Sequence, residues 1–164
     1  MVNYNAIVSI VKKITEKKGP PCKKTLQKIV FLIETKKVNL GCDYGIHFYG
    51  PYSADLDFAV RELCDEGLLS IRYTDLEHRI IANNDFSCDE FENKAIDEII
   101  DEFANDSPSE LELLATALYV YLCTKDESKI YNGVKKIKGE KYNDTRINSA
   151  IKRLRKNHFI VSSN

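Results

Sequence analysis

The sequence has one methionine, three histidines and no apolar run near the ~18 residues that a membrane helix needs. A single methionine excludes an adaptable, Met-rich binding surface. The missing run excludes a membrane-spanning helix. The start, Met1-Val2-Asn3-Tyr4-Asn5, lacks a basic stretch ahead of a long apolar one, so no signal peptide is expected. Cysteine is present but forms no pattern. Cys22, Cys42, Cys64, Cys88 and Cys123 are odd in number and far apart, with no Cys-x-x-Cys and no Cys/His group at zinc spacing. Free thiols in a reducing cytoplasm are the expectation, with no metal and no other cofactor.

Signatures of catalysis are also missing. There is no Gly-x-Ser-x-Gly, phosphate loop, dinucleotide fingerprint or His-Glu-x-x-His. His47, His78 and His158 are isolated in sequence. Cys42 with His47 is a dyad that folding could assemble, but neither has a third residue nearby to orient the base. The acidic pairs Asp97-Glu98 and Asp101-Glu102 fall on a solvent face and read as a solvated helix surface. The expectation is a protein that is not an enzyme.

What is present is an ordinary globular composition. The 164 residues are 43% hydrophobic and 30% charged, enough for one domain with a self-sufficient core. Lysine and arginine number 24 and the acids 25, for a net charge of −1. That total hides a pattern. Residues 1–50 carry nine lysines and three acids, a net of +6; residues 51–115 carry four basic and eighteen acidic residues, a net of −14; residues 116–164 carry eleven basic and four acidic residues, a net of +7. Such asymmetry points to electrostatic partner surfaces, and the acidic middle suits a basic protein partner.

Periodicity outlines the elements. Tyr4, Ile7, Val8, Val11 and Ile14 predict an amphipathic helix over 3–18, ended by Gly19-Pro20-Pro21. A second helix over 23–37 is apolar almost all round from Leu26 to Ile33, apart from Gln27 and Lys28, and so should be buried. Ile46 to Tyr49 is a β-capable run closed by Gly50-Pro51. Ser53 caps the next helix, whose stripe is Leu56, Ala59, Val60 and Leu63 and whose end is Gly67. Alternation around Leu69–Tyr73 and His78–Ala82 predicts a hairpin. After the linker-like Asn83–Ser87, an acidic helix runs past Phe103. Ser107, Pro108 and Glu110 form a capping box for a helix with Leu111, Leu114, Ala115, Leu118 and Leu122 inward. Shorter helices follow over 127–138 and from Asp144 to about Asn157, with Phe159-Ile160-Val161 as a terminal strand. The fold class expected is mainly α with a small β-hairpin (α+β), winged-helix-like. It forms one domain over 1–164, divisible into a winged-helix-like half (1–85) and a helical half (86–164).

An internal echo supports the division. At a shift of 91 positions, Ser53 falls on Asp144, Leu56 on Ile147, Ala59 on Ala150, Val60 on Ile151, Leu63 on Leu154, and Leu68-Leu69 on Phe159-Ile160. The solvent faces differ in sign. The first helix shows Asp55, Asp57, Glu62, Asp65 and Glu66. The second shows Arg146, Lys152, Arg153, Arg155 and Lys156, a candidate nucleic-acid face whose side chains would displace counterions from phosphates.

Two segments carry a family likeness. Leu26-Gln27-Lys28-Ile29-Val30-Phe31-Leu32 stands at a set distance from Phe48-Tyr49-Gly50-Pro51-Tyr52-Ser53, which is followed by Leu56, Leu63 and Gly67-Leu68. This arrangement resembles the YwgA-like group of small microbial proteins and the related Panacea domain, which includes SocA-like antitoxins. Leu111-Glu112-Leu113-Leu114-Ala115-Thr116 resembles the second half of YwgA-like proteins, so the likeness covers roughly residues 20–155. The resemblance implies a mostly helical fold with a small hairpin. It also implies a protein partner, either a toxin encoded nearby or a protease served by an adaptor.

The same motif has a purely structural account. Gly50 and Pro51 reverse the chain. Tyr49 and Tyr52 cover Leu26 and Phe31, Ser53 caps, and Gln27 and Lys28 find a turn carbonyl or a tyrosine hydroxyl. The functional alternative places Lys28, Tyr49, Gly50, Pro51, Tyr52 and Ser53 at a partner-binding groove, since aromatic and basic residues are favoured at such contacts. The leading expectation is therefore a protein-interaction module. A winged-helix DNA-binding transcriptional regulator using the last helix is the alternative.

Overall fold

A helix that is apolar on every side can satisfy water on none, so it must be wrapped by others. Two segments of this chain have that character, 26–33 and 111–118, and they form its centre. The computed structural model describes residues 1–84 and 91–161. In order, it contains α1 (Tyr4–Lys18), α2 (Lys23–Thr35), β1 (Gly45–His47), β2 (Gly50–Tyr52), α3 (Ala54–Asp65), β3 (Leu69–Tyr73) and β4 (His78–Ala82). There follow α4 (Lys94–Phe103), α5 (Pro108–Thr124), a 3-10 turn at Glu127–Lys129, α6 (Ile130–Lys138) and α7 (Asp144–Lys156). The fold is mainly helical with two small, separate antiparallel hairpins, an α+β arrangement. Among the described residues no helix is long and apolar enough to cross a membrane. Cys88 and the second part of the expected Asn83–Ser87 linker lie outside the described residues.

Helices α2 and α5 pack against each other, α2 also meets α4 and β2, and α5 also meets α6, α7 and β2. Every residue of α2 from Thr25 to Ile33 and of α5 from Leu111 to Leu118 is buried. The surrounding helices add their stripes to one buried cluster: Ile7, Ile10 and Ile14 from α1, Leu56 and Leu63 from α3, Ile96 and Phe103 from α4, and Ile147 and Leu154 from α7. Hairpin β3–β4 is tied to the α1–α2 link through the Ile80 amide, which donates to the Pro21 carbonyl at 2.8 Å.

Folding brings the charged thirds of the chain together. Lys13 and Lys17 of α1 pair with Asp97 (2.6 Å) and Asp101 (3.4 Å) of α4. From the other side, Arg153 of α7 pairs with Glu102 (3.2 Å) and Asp106 (2.8 Å). Much of the acidic middle thus meets its counter-charge within the chain.

The structure corrects several local expectations. The chain does not reverse at Gly50-Pro51. His47 pairs with Gly50, so the tip is Phe48-Tyr49, and Gly50-Pro51 form the return strand. Gly50 is needed there for another reason. Its φ is +94°, and a Cβ would lie 2.8 Å from Thr116 Oγ1 on α5. The short strand expected before α3 is therefore half of a hairpin of its own. Phe31 meets the ring of Tyr44, 5.0 Å between centroids, while Leu26 shares a cavity lining with Tyr49 and Tyr52. Ser107 caps α5 as expected, at 3.1 Å from the Glu110 amide. The Glu110 carboxylate, however, is turned to Arg146 and does not close the box. Asn143 caps α7, accepting from the Arg146 amide at 2.8 Å, so Asp144, the counterpart of Ser53 in the internal echo, is already the first helical residue. Phe159-Ile160-Val161 is irregular chain, with Phe159 and Ile160 buried.

That last segment extends the internal echo. After α3 the Gly67 amide donates to Cys64 O (3.1 Å) and the Leu68 amide to Leu63 O (2.9 Å). After α7 the His158 amide donates to Arg155 O (3.1 Å) and the Phe159 amide to Leu154 O (2.9 Å). Both endings are the same two-bond Schellman closure, 91 positions apart. Gly67 and His158 both hold positive φ, +82° and +61°. Gly67→Ala should therefore cost about 1 kcal/mol, since a Cβ in the left-handed region is strained. Urea denaturation should show that loss for Gly67→Ala and no comparable loss for His158→Gly.

Candidate functional site

The expected partners of Gln27 and Lys28 are found in the first hairpin. The Gln27 amide makes two bonds to the backbone of Ser53, donating to its carbonyl at 2.9 Å and accepting from its amide at 2.8 Å. The Lys28 ammonium donates to the Pro51 carbonyl at 2.6 Å. Ser53 Oγ accepts from the Leu56 amide at 3.2 Å, capping α3. Two polar groups on a buried helix thus fasten the β2 strand and the start of α3, both by backbone groups. Lys28 is only 2% exposed. Burial lowers its pKa to about 8 from 10.5, despite the opposing pull of Glu112.

Beneath the hairpin lies a charge cluster that the sequence reading missed. Glu112 of α5 is fully buried. Its carboxylate meets Lys141 at 2.6 Å, Lys24 at 2.7 Å and Lys138 at 3.5 Å, and it accepts from the Tyr142 hydroxyl. Lys24 is close enough to pair in charge, although the Glu112 Oε1 it faces lacks a well-directed hydrogen bond. Burial alone would push the Glu112 pKa up. Polar contacts with Lys141, Lys24 and Tyr142 outweigh it and hold the pKa at about 2. The signal in the sequence was an acid in the leucine-rich run Leu111-Glu112-Leu113-Leu114. Its partners, distant in the chain, gave no signal.

Above this cluster the hairpin tip is apolar and open. Phe48 is 83% exposed and Tyr49 is 55% exposed, their rings edge to face at 4.9 Å. Lys24 stands 4.6 Å and Lys141 5.7 Å from the Tyr49 ring centroid, so cations flank its faces. Beside Tyr49 is a cavity of about 230 Å³, lined by Lys23, Lys24 and Lys28, by Tyr49 and Tyr52, and by the apolar side chains of α2, α3 and β4. Three of the six groove candidates, Lys28, Tyr49 and Tyr52, therefore line one space. Gly50 and Pro51 are buried behind it and Ser53 is buried as the cap.

The candidate nucleic-acid face is differently placed. Arg146 pairs with Glu110 at 3.1 Å, Arg153 with Glu102 and Asp106, and Arg155 with Glu127. Lys152 and Lys156 are exposed. Three of the five cations are thus engaged by carboxylates of the same chain. Cys42 and His47 show no assembled dyad. The Cys42 thiol is buried, and burial together with nearby Glu34 pushes its pKa up to about 12, far from a reactive thiolate. The His47 ring packs against Tyr52, 4.8 Å between centroids. Among the described residues no group of three His, Cys, Asp or Glu is placed to hold a metal ion.

Over 47 residues the chain is 38% identical to a Bacillus subtilis (strain 168) protein described as uncharacterized protein YwgA. The match covers 29% of this chain and 28% of that relative's length. It supports a YwgA-like relationship over that part of the chain. No family model matches.

Removing the central acid should unbalance the cluster. Glu112→Gln leaves Lys24, Lys138 and Lys141 without their shared counter-charge and should lower stability by about 3 kcal/mol in urea denaturation. In the wild type the Glu112 contribution is complete above its unfolded pKa of about 4.5 and is lost as pH falls through about 2. Lys28 acts in the opposite direction. Between about 8 and 10.5 the unfolded chain holds its proton and the folded chain does not, so its contribution to stability rises with pH there. Lys28→Met should remove that rise.

Proposed function

We propose that this chain is a non-enzymatic protein-interaction module of the YwgA-like and Panacea type, with the β1–β2 hairpin as its docking face. The antitoxin and protease-adaptor roles are the forms of that activity the family likeness suggests. The partner would be a toxin encoded nearby or a protease.

One observation carries the reading. Phe48 and Tyr49 stand exposed at a tip whose base is fastened by the Lys28–Pro51 and Gln27–Ser53 bonds. A large apolar pair on a free loop would collapse onto the surface or remain mobile. On a rigid base it is presented ready-made, which lowers the ordering cost of association. An exposed tyrosine ring beside a cavity is the kind of setting in which a binding hot spot forms.

The test uses the exposed residues. Phe48→Ser and Tyr49→Ala should keep the melting temperature of the wild type. They should weaken capture of the partner, the product of a neighbouring gene or a protease, by about tenfold or more. Tyr52→Ala separates cavity lining from packing: lost capture with stability intact supports docking, and a collapse in melting temperature assigns Tyr52 to the core. Undiminished capture by both tip variants would remove the hairpin from the interface.

A further inference from the structure

We infer that the cavity beside Tyr49 is the anchor pocket for an acidic segment of the partner protein, with one apolar side chain in the cavity and adjacent carboxylates on the lysines around it. This rests on the interaction role proposed above and specifies the chemistry of what docks.

Volume, wall chemistry and charge each restrict the occupant. At about 230 Å³ the space suits one large side chain. It is below the several hundred Å³ (roughly 300 or more) typical of small-molecule and cofactor sites. Its floor is apolar, formed by Leu26, Leu56 and Val60, all nearly inaccessible to solvent. An apolar side chain entering it would therefore bury its own surface without leaving a polar group unpaired.

The charge around the cavity is positive. Lys23, Lys24 and Lys28 belong to its lining, against the single acid Asp57. Asp57 already faces Arg61 at 2.7 Å and Lys23 at 4.0 Å. Lys141 and Lys138 stand behind Tyr49 around Glu112. Three lysines and Tyr142 share that one carboxylate, so it does not neutralise the group. A basic segment would be repelled here, and an acidic one attracted.

Lys28 adds to that positive charge from within the wall: it is nearly inaccessible to solvent and its ammonium donates to the Pro51 carbonyl.

This chemistry differs from the simplest reading of the charge sequence, in which the acidic middle recruits a basic partner. Asp97, Asp101, Glu102 and Asp106 are already paired within the chain. The lysines at the hairpin outnumber the acids they face.

Selection from a random peptide library displayed on phage, against the immobilised full chain, tests the inference. The expected enrichment is an aromatic or long aliphatic residue flanked by aspartate or glutamate. A synthetic peptide of that sequence should bind wild type and weaken with added salt. It should bind Lys23→Glu and the cavity-filling Val60→Phe about tenfold more weakly. Lys23 is partly exposed, so its variant should keep the wild-type melting temperature even if Val60→Phe does not. Enrichment of basic peptides, of acidic peptides with no apolar residue, or of none overturns the inference. So does equal binding to Lys23→Glu. If the tip variants still lose the natural partner in that case, the interaction role stands and only the occupant chemistry falls. If they retain the partner while acidic peptides bind the cavity, the role falls and the pocket remains.

Discussion

One carboxylate holds the centre of this protein together. Glu112 lies on the all-apolar helix α5, and its neighbours come from α2 (Lys24), α6 (Lys138) and the α6–α7 link (Lys141 and Tyr142). A buried charge is tolerable only when paired. That requirement fixes where these segments lie relative to α5. The hairpin then sits on the same stretch of helix, with Gly50 close against Thr116 and near the Glu112 backbone. Apolar packing alone would permit small slides of α2 along α5. A carboxylate that must reach several amines at once permits far fewer.

The helices, their stripes and most caps were legible in the sequence because their causes are local. The spacing of Leu56, Ala59, Val60 and Leu63 needs no knowledge of the fold, nor does Ser53 ahead of them. Lys28 and Gln27 were legible in a second way. A polar group in an apolar run demands a partner, and the suppliers expected were a turn carbonyl or a tyrosine hydroxyl; the structure uses backbone groups of Pro51 and Ser53. What could not be read had a distant cause. Gly50-Pro51 looks like a reversal, but the glycine is set by the approach of α5, more than sixty positions away (roughly, by chain position). Glu110 looks like the far half of a capping box, but Arg146 competes for it successfully. Glu112 stood in plain view in a leucine run, while its lysines are scattered from 24 to 141.

The charge pattern shows the same division. Along the chain it runs basic, acidic, basic, and the obvious inference is that three surfaces of alternating sign face outward. In three dimensions α4 meets α1 through Lys13 and Lys17, while Arg153 of α7 reaches Glu102 and Asp106. Part of the asymmetry along the chain is thus taken up by pairs made within the chain. These exposed or partly exposed pairs add little stability individually. Their larger effect is on specificity, because a misplaced α4 would lose its counter-charges on α1 and α7. The surface field that remains is set by the charges left over, not by the totals.

A local excess of lysines over acids stands where the hairpin is built. Lys24 serves Glu112 and also stands over the Tyr49 ring. Lys28 fastens Pro51 and also lines the cavity. Both residues therefore support the core and border the cavity. An excess of positive charge held rigidly is unfavourable to the folded state by itself, through mutual repulsion and lost hydration. The lowered pKa of Lys28 is the local expression of that burden. An anionic group arriving at the cavity relieves it. For the acidic occupant proposed, binding energy at this face would come from two sources, burial of an apolar side chain and relief of repulsion already present in the unbound protein. A neutral or basic occupant of the same shape would obtain only the first.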